Sequence, residues 1–220
     1  MSTWERRTVL GLLVGVGALT AGGLSAQDLA DFDYENLSFR GIGGEVGQIF
    51  PSRVEDAYSY TFFVDLGYLG PGLRIVPSAT YWTSPFKDAE VQELEARLTD
   101  LAGAPVDLGE IQWTDVAVAL DGQVVWRLPG SLFSFAGAGV ALHVLDGEGA
   151  AIQGTLVEDL LDSLTPGFNL HLGFEYPLAD QFRLSTQGRY EVMGDLQYFE
   201  VRAGIRILFG NLAAGEGRSR

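Results

Sequence analysis

YSYTFFVDLGYL, residues 58–69, decides the fold. Every second residue gives Tyr58, Tyr60, Phe62, Val64, Leu66 and Tyr68 on one side, and Ser59, Thr61, Phe63, Asp65, Gly67 and Leu69 on the other. A helix would gather its apolar residues three and four apart. Alternation of this kind is a β-strand with one apolar and one mixed face. The same period runs through residues 73–82, 114–128, 134–144, 168–176, 182–192 and 199–209. Residues 37–50 carry it more faintly, blurred by Gly41, Gly43, Gly44 and Gly47. Eight strands are expected, in an all-β chain.

The connections alternate in length. Leu69-Gly70-Pro71-Gly72, Pro129-Gly130-Ser131 and Pro177-Leu178-Ala179-Asp180-Gln181 are tight turns of Gly, Pro and Asp. Between them lie residues 51–57, 86–110, 146–165 and 193–197, two of them long. In an antiparallel up-and-down barrel all the short turns fall at one end and the longer loops at the other, which is the plan of a transmembrane barrel.

A soluble barrel would alternate too, with its faces reversed, so charge placement decides. The mixed face carries Asp65, Arg74, Asp115, Asp121, Arg127, Glu175, Arg183, Arg189, Glu191, Glu200, Arg202 and Arg206. These six acids and six arginines suit internal pairing as a structural charge network in a polar lumen. From the second strand onward the opposite face is almost free of charge. Aromatic residues stand at its ends: Tyr58 and Tyr68 are ten residues apart, as are Phe199 and Phe209. At ~3.3 Å per residue and a tilt of ~40°, ten residues climb about 25 Å, the height of a lipid-facing band between two aromatic girdles.

Composition and the N-terminus agree with this reading. The 220 residues carry 29 Asp+Glu against 14 Lys+Arg, a formal charge of −15, with Lys87 the single lysine. That balance argues against binding a phosphate backbone, so no nucleic-acid partner is expected. There is no cysteine, which removes disulfides, thiol nucleophiles and thiolate metal sites. Residues 1–26 read as a secretory signal peptide. Arg6 and Arg7 precede an apolar stretch over residues 9–19, and Leu24-Ser25-Ala26 forms a small-residue cleavage site before Gln27. Residues 27–36 then form a short periplasmic segment, 37–210 the barrel and 211–220 a C-terminal tail.

On these features the chain, over about residues 37–209, resembles the small eight-stranded outer-membrane proteins of the OmpA transmembrane-domain, OmpX and OmpW class. The resemblance implies an outer-membrane location after export, with membrane lipids and lipopolysaccharide as neighbours. It also implies recognition by the barrel-insertion machinery through a closing aromatic, for which Phe209 is the match; residues 210–220 follow it. The function expected is structural or surface-interacting, with a filled lumen. The alternative is OmpW-like transport of apolar solutes, and a lipid-modifying enzyme comes third.

No catalytic, cofactor or metal site is expected. His143 and His171, the two histidines, lie on the mixed face; two imidazoles make a weak ligand set and read as hydrogen-bonded lumen residues. Neither is followed two residues later by the serine of a lipid A deacylase pattern. The long loops carry amphipathic stretches. Over residues 88–103, Ala89, Val91, Leu94, Leu98 and Leu101 share one helical face; over 154–164, Leu156, Val157, Leu160, Leu161 and Leu164 do so. Two such helices at one end can pack on each other over the barrel mouth or meet an extracellular partner. Both loops are acidic, with seven acids and two bases over residues 86–110 and five acids and no base over 146–165.

Overall fold

The computed structural model describes residues 37–155, 157, 161–194 and 196–209. The expected signal peptide, periplasmic segment and tail lie outside them. Nine strand segments make one antiparallel sheet: β1 Gly41–Pro51, β2 Ala57–Asp65, β3 Tyr68–Gly70, β4 Leu73–Pro85, β5 Gln112–Arg127, β6 Phe133–Glu148, β7 Ser163–Ala179, β8 Phe182–Met193 and β9 Leu196–Leu208. Consecutive strands pair, except that β2 and β3 both pair with β4, and β1 pairs with β9 from Gly41↔Leu208 to Pro51↔Tyr198. That last pairing closes the sheet on itself. β2 and β3 together form one stave, so the barrel has the expected eight. The break falls at Leu66 and Gly67, where Gly67 takes φ +77° and donates its N–H to Asp65 Oδ1 at 2.8 Å. A positive φ of this kind is tolerated by glycine and costly for a residue with a Cβ.

Several strands overrun their expected bounds, most of them at the long-loop end. β6 continues to Glu148, β7 begins at Ser163, and the expected 193–197 loop shrinks to residues 194 and 195. At the other end β7 runs to Ala179, with an irregularity between Pro177 and Ala179, and leaves a two-residue turn. The staves therefore stand taller than the apolar band. Above Val116 and Val144 the outward residues turn polar, with Gln112 on β5 and Asp146 and Glu148 on β6. One α-helix, α1 Asp88–Ala102, lies in the loop between β4 and β5. It ends at Gly103, in the left-handed region at φ +68°, whose N–H returns to the Thr99 carbonyl.

The two faces divide as the alternation requires. Outward residues such as Val118, Leu142, Leu170, Leu172, Val201 and Ile205 are exposed and apolar, whereas inward Asp121, Arg189, Glu200 and Arg202 are buried. In water such an outer face would be a continuous aggregation surface, and in a bilayer it is the face that hydrocarbon solvates. Arginine at Val118 or at Ile205, both mid-strand and outward, should destabilise the barrel by ~2–4 kcal/mol. Urea titration in lipid vesicles measures this; unchanged midpoints for both variants would mean that the faces are reversed.

Candidate functional site

From base to mouth the lumen is filled in layers. At the short-turn end Glu175 on β7 gathers three arginines: Arg74 at 2.6 Å, Arg206 at 3.2 Å and Arg183 at 3.4 Å. Arg206 also pairs with Asp65, and Arg74 donates to Gln123 from Nη2 at 2.6 Å. Rings lie under these guanidiniums, Phe133 beneath Arg183 at 4.5 Å and Phe63 beneath Arg206 at 4.9 Å. A planar guanidinium suits such a place because its fork satisfies several oxygens while its face stacks on a ring.

At the waist Arg202 pairs with Glu200, which accepts from Ser59, and Ser185 donates to Glu45 at 2.7 Å. A continuous chain then climbs the wall. His171 Nδ1 meets Asn169 Oδ1 at 2.8 Å, and Asn169 donates to Asp121 at 3.0 Å. Asp121 accepts from Arg189 at 2.8 Å, and Arg189 donates to Glu191 at 2.7 Å. Glu191 lies 3.5 Å from His143 Nε2, and His143 Nδ1 meets Asp115 at 2.8 Å. The two carboxylates meet opposite edges of the His143 ring and offer no common point to a metal ion. Among the described residues no group of three or more His, Asp or Glu is placed to hold one. The void at the waist, between Ser78, Arg202 and Arg206, measures about 20 Å³, little more than the volume that one water needs. Glycine makes this density possible: a Cβ on Gly139 would stand 1.9 Å from Asp121 Oδ1.

Eleven of the twelve charged residues read from the alternation are buried. Arg127 is the correction. It keeps the inward parity, but β5 leaves the enclosed part of the barrel after Gln123, and Arg127 is exposed with its guanidinium 5.8 Å from the Phe133 ring. Glu45 was missed. It sits on the glycine-rich first strand, where an inward run of Gly43, Glu45 and Gly47 hides the parity. Glu175, which the sequence sets on one face with His171, is claimed by arginines instead. Of the girdle aromatics, Tyr58, Phe199 and Phe209 are exposed. Phe199 stacks with Phe50 at 6.5 Å and Phe209 with Phe39 at 5.4 Å, while Tyr68 is half-buried under Arg40 at 5.0 Å.

The upper lumen departs from the polar interior expected of it. Ile49, Val54, Trp82, Trp113, Leu145, Met193, Leu196 and Tyr198 form a buried apolar layer across the barrel just above Asp115 and His143. Trp82 meets Tyr198 edge-on at 6.2 Å. Over this layer lies a cavity of about 260 Å³, bordered by Val91, Leu94 and other residues of α1.

The loop helix covers the mouth as its periodicity predicts, with two corrections. Val91, Leu94 and Leu98 pack onto Leu108, Ile111 and Ile152, joined by Val157 and Leu161 of the other long loop. Leu101 is 83% exposed, because the last turn of α1 overhangs the cluster before Gly103 reverses the chain. Leu164 belongs to β7 and faces outward. Leu156 and Leu160 lie outside the described residues. The cap is tied down by polar bonds: Arg53 donates to Glu90 at 2.8 Å, and Thr99 Oγ1 and Glu95 Oε1 accept the N–H groups of Val106 and Leu108. The Lys87 ammonium donates to the Pro51 carbonyl at 2.9 Å.

No protein-family model matches the chain, and no curated protein does. Solved structures do. Neisserial surface protein A is similar at a TM-score of 0.55 and 12% identity, over 77% of this chain and 97% of that one. Ail, the attachment invasion locus protein of Yersinia pestis, is similar at 0.50 and 8% identity, over 79% and 99%. At such identities the likeness speaks for the fold alone, and the fold is that of the small eight-stranded outer-membrane β-barrels.

Proposed function

We propose that the protein is a non-conducting, non-enzymatic surface protein of the outer membrane, in which a filled barrel holds a helical cap towards the outside of the cell. The observation that carries the reading is the double closure of the lumen. Paired charges fill it from Asp65 to Asp115, and the apolar layer around Trp82, Trp113 and Met193 lies across it above them. An eight-stranded barrel has an interior just wide enough for side chains, and here its charged side chains are paired with one another. The long-loop end is the extracellular one on the usual plan of such barrels. There α1 and the second long loop would meet an extracellular partner. The exposed aromatics Tyr58, Phe199 and Phe209 would act as girdle residues at the lipid interfaces, with lipopolysaccharide around the outer one.

Planar-bilayer recording of the refolded protein tests the closure: no conductance steps are expected, and steady steps at moderate voltage would refute it. The ion pairs can be tested separately. Glu175→Gln leaves three guanidiniums around a neutral amide and should cost ~3–5 kcal/mol, as removal of one partner from a buried charge cluster does. A lowered urea midpoint in vesicles reads this directly. Deleting residues 88–103 should leave a heat-modifiable barrel, because the strand ladder does not pass through α1. The same deletion uncovers Leu108, Ile111 and Ile152, so self-association should rise; loss of the folded barrel would show that the cap is part of the fold.

A further inference from the structure

The cavity beneath α1 has no part in closing the lumen, and its lining is selective. We propose that it is a binding site for a small, uncharged, mainly apolar molecule carrying one hydroxyl or carbonyl group. The floor and walls are Phe86, Ile111, Trp113, Leu145, Met193 and Leu196, and the roof is Val91 and Leu94 of α1. At about 260 Å³ it exceeds the ~150 Å³ of an engineered apolar cavity that takes up benzene, so a molecule of roughly ten to fifteen heavy atoms fits.

The charged groups at the site are already paired with one another. Arg53 is held by Glu90, and Arg97 by Glu93 one helical turn away. The Trp113 indole N–H is spent on the Leu161 carbonyl at 3.2 Å. A charged ligand against the apolar floor would be desolvated without a free counter-charge beside it, whereas a neutral ring system loses only water. What remains for the ligand is a hydroxyl pair. Ser163 and Thr165 stand on one face of β7, 3.2 Å apart, and each hydroxyl keeps capacity for a further hydrogen bond. Both lie above Gly167↔Met193, the last pair that joins β7 to β8, so above that point β7 is bonded to β6 alone. The hydroxyls therefore mark one side of the cavity and its floor is apolar, which orients a ligand with its polar atom towards β7.

Met193 gives the experiment its readout. It lies in the floor of the cavity, and the chain has one other methionine, Met1. With methyl-13C methionine in lipid nanodiscs, 2-naphthol should move the Met193 methyl resonance saturably through its ring current, and 2-naphthoate at the same concentrations should not. Leu94→Trp fills the cavity from the roof and should weaken the 2-naphthol response at least ten-fold. Leu101→Trp, on the exposed overhang of α1, should leave it unchanged. Should Leu94→Trp fail to give a heat-modifiable barrel, Val91→Phe takes its place. A non-saturable response in the parent protein, an equal response to 2-naphthoate, or full binding by the filled variant would each overturn the proposal. The site lies above the apolar layer, so its occupancy and the conductance of the barrel are read independently.

Discussion

The pairing of Gly41–Pro51 with Tyr198–Leu208 is the constraint from which the other features follow. In hydrocarbon an unpaired backbone N–H or C=O costs several kcal/mol, so a sheet can live there only if it has no edge. Eight staves are among the smallest rings that close, and a ring of that size has no room for a water column. Its inner face must therefore be packed. The outer face is given over to lipid, and the alternation of the strands sends the polar residues inward. The protein meets that demand with arginine and never with lysine. Arg74, Arg189, Arg202 and Arg206 each reach more than one partner, as Arg189 does between Asp121 and Glu191 and Arg206 between Asp65 and Glu175.

In this lumen an apolar layer is stacked on a charged part, where Phe63, Phe133 and Phe135 pack against the guanidiniums. The charged part runs from the base to His143, and the apolar layer sits on top of it. Such an arrangement strengthens both. Ion pairs attract more strongly where water is kept away, and the layer screens them from the mouth. The apolar side chains, for their part, rest on a densely packed floor. The cap then continues the apolar part outward through Phe86, which touches both the layer and the cluster under α1. Mouth and lumen are in that sense one stack with a change of chemistry at Asp115.

Residues 58–69 were enough to read the strand type, the inward and outward faces and, with the turns, the number of staves. Periodicity is a local property, and so these were legible. Arg127 and Leu101 failed for a different reason. Both keep the right phase, but the element runs on past the body that would have buried them, and phase alone does not say where that body ends. Glu45 was hidden because glycine neighbours contribute no face to compare. The apolar layer was missed although Trp82, Trp113 and Leu145 all hold the inward parity. A single strand offers no rule for whether an inward tryptophan breaks a polar pattern or joins apolar side chains from other parts of the barrel. The cavity above that layer was illegible for the same reason, since it is made by side chains from five staves, a helix and the long loops.

The lone lysine gives the molecule an unusual chemical simplicity. Lys87 stands at the foot of α1, beside the mouth, with its ammonium against the carbonyls of Pro51 and Ser52. An amine-directed dye, tether or surface resin therefore has a single side chain to attack. That side chain lies on the cap, remote from the lipid band and from the base. Immobilised through it, with the chain's α-amine blocked, the molecules on a sensor or bead would share one orientation, and a spectroscopic label placed there would report on the foot of α1.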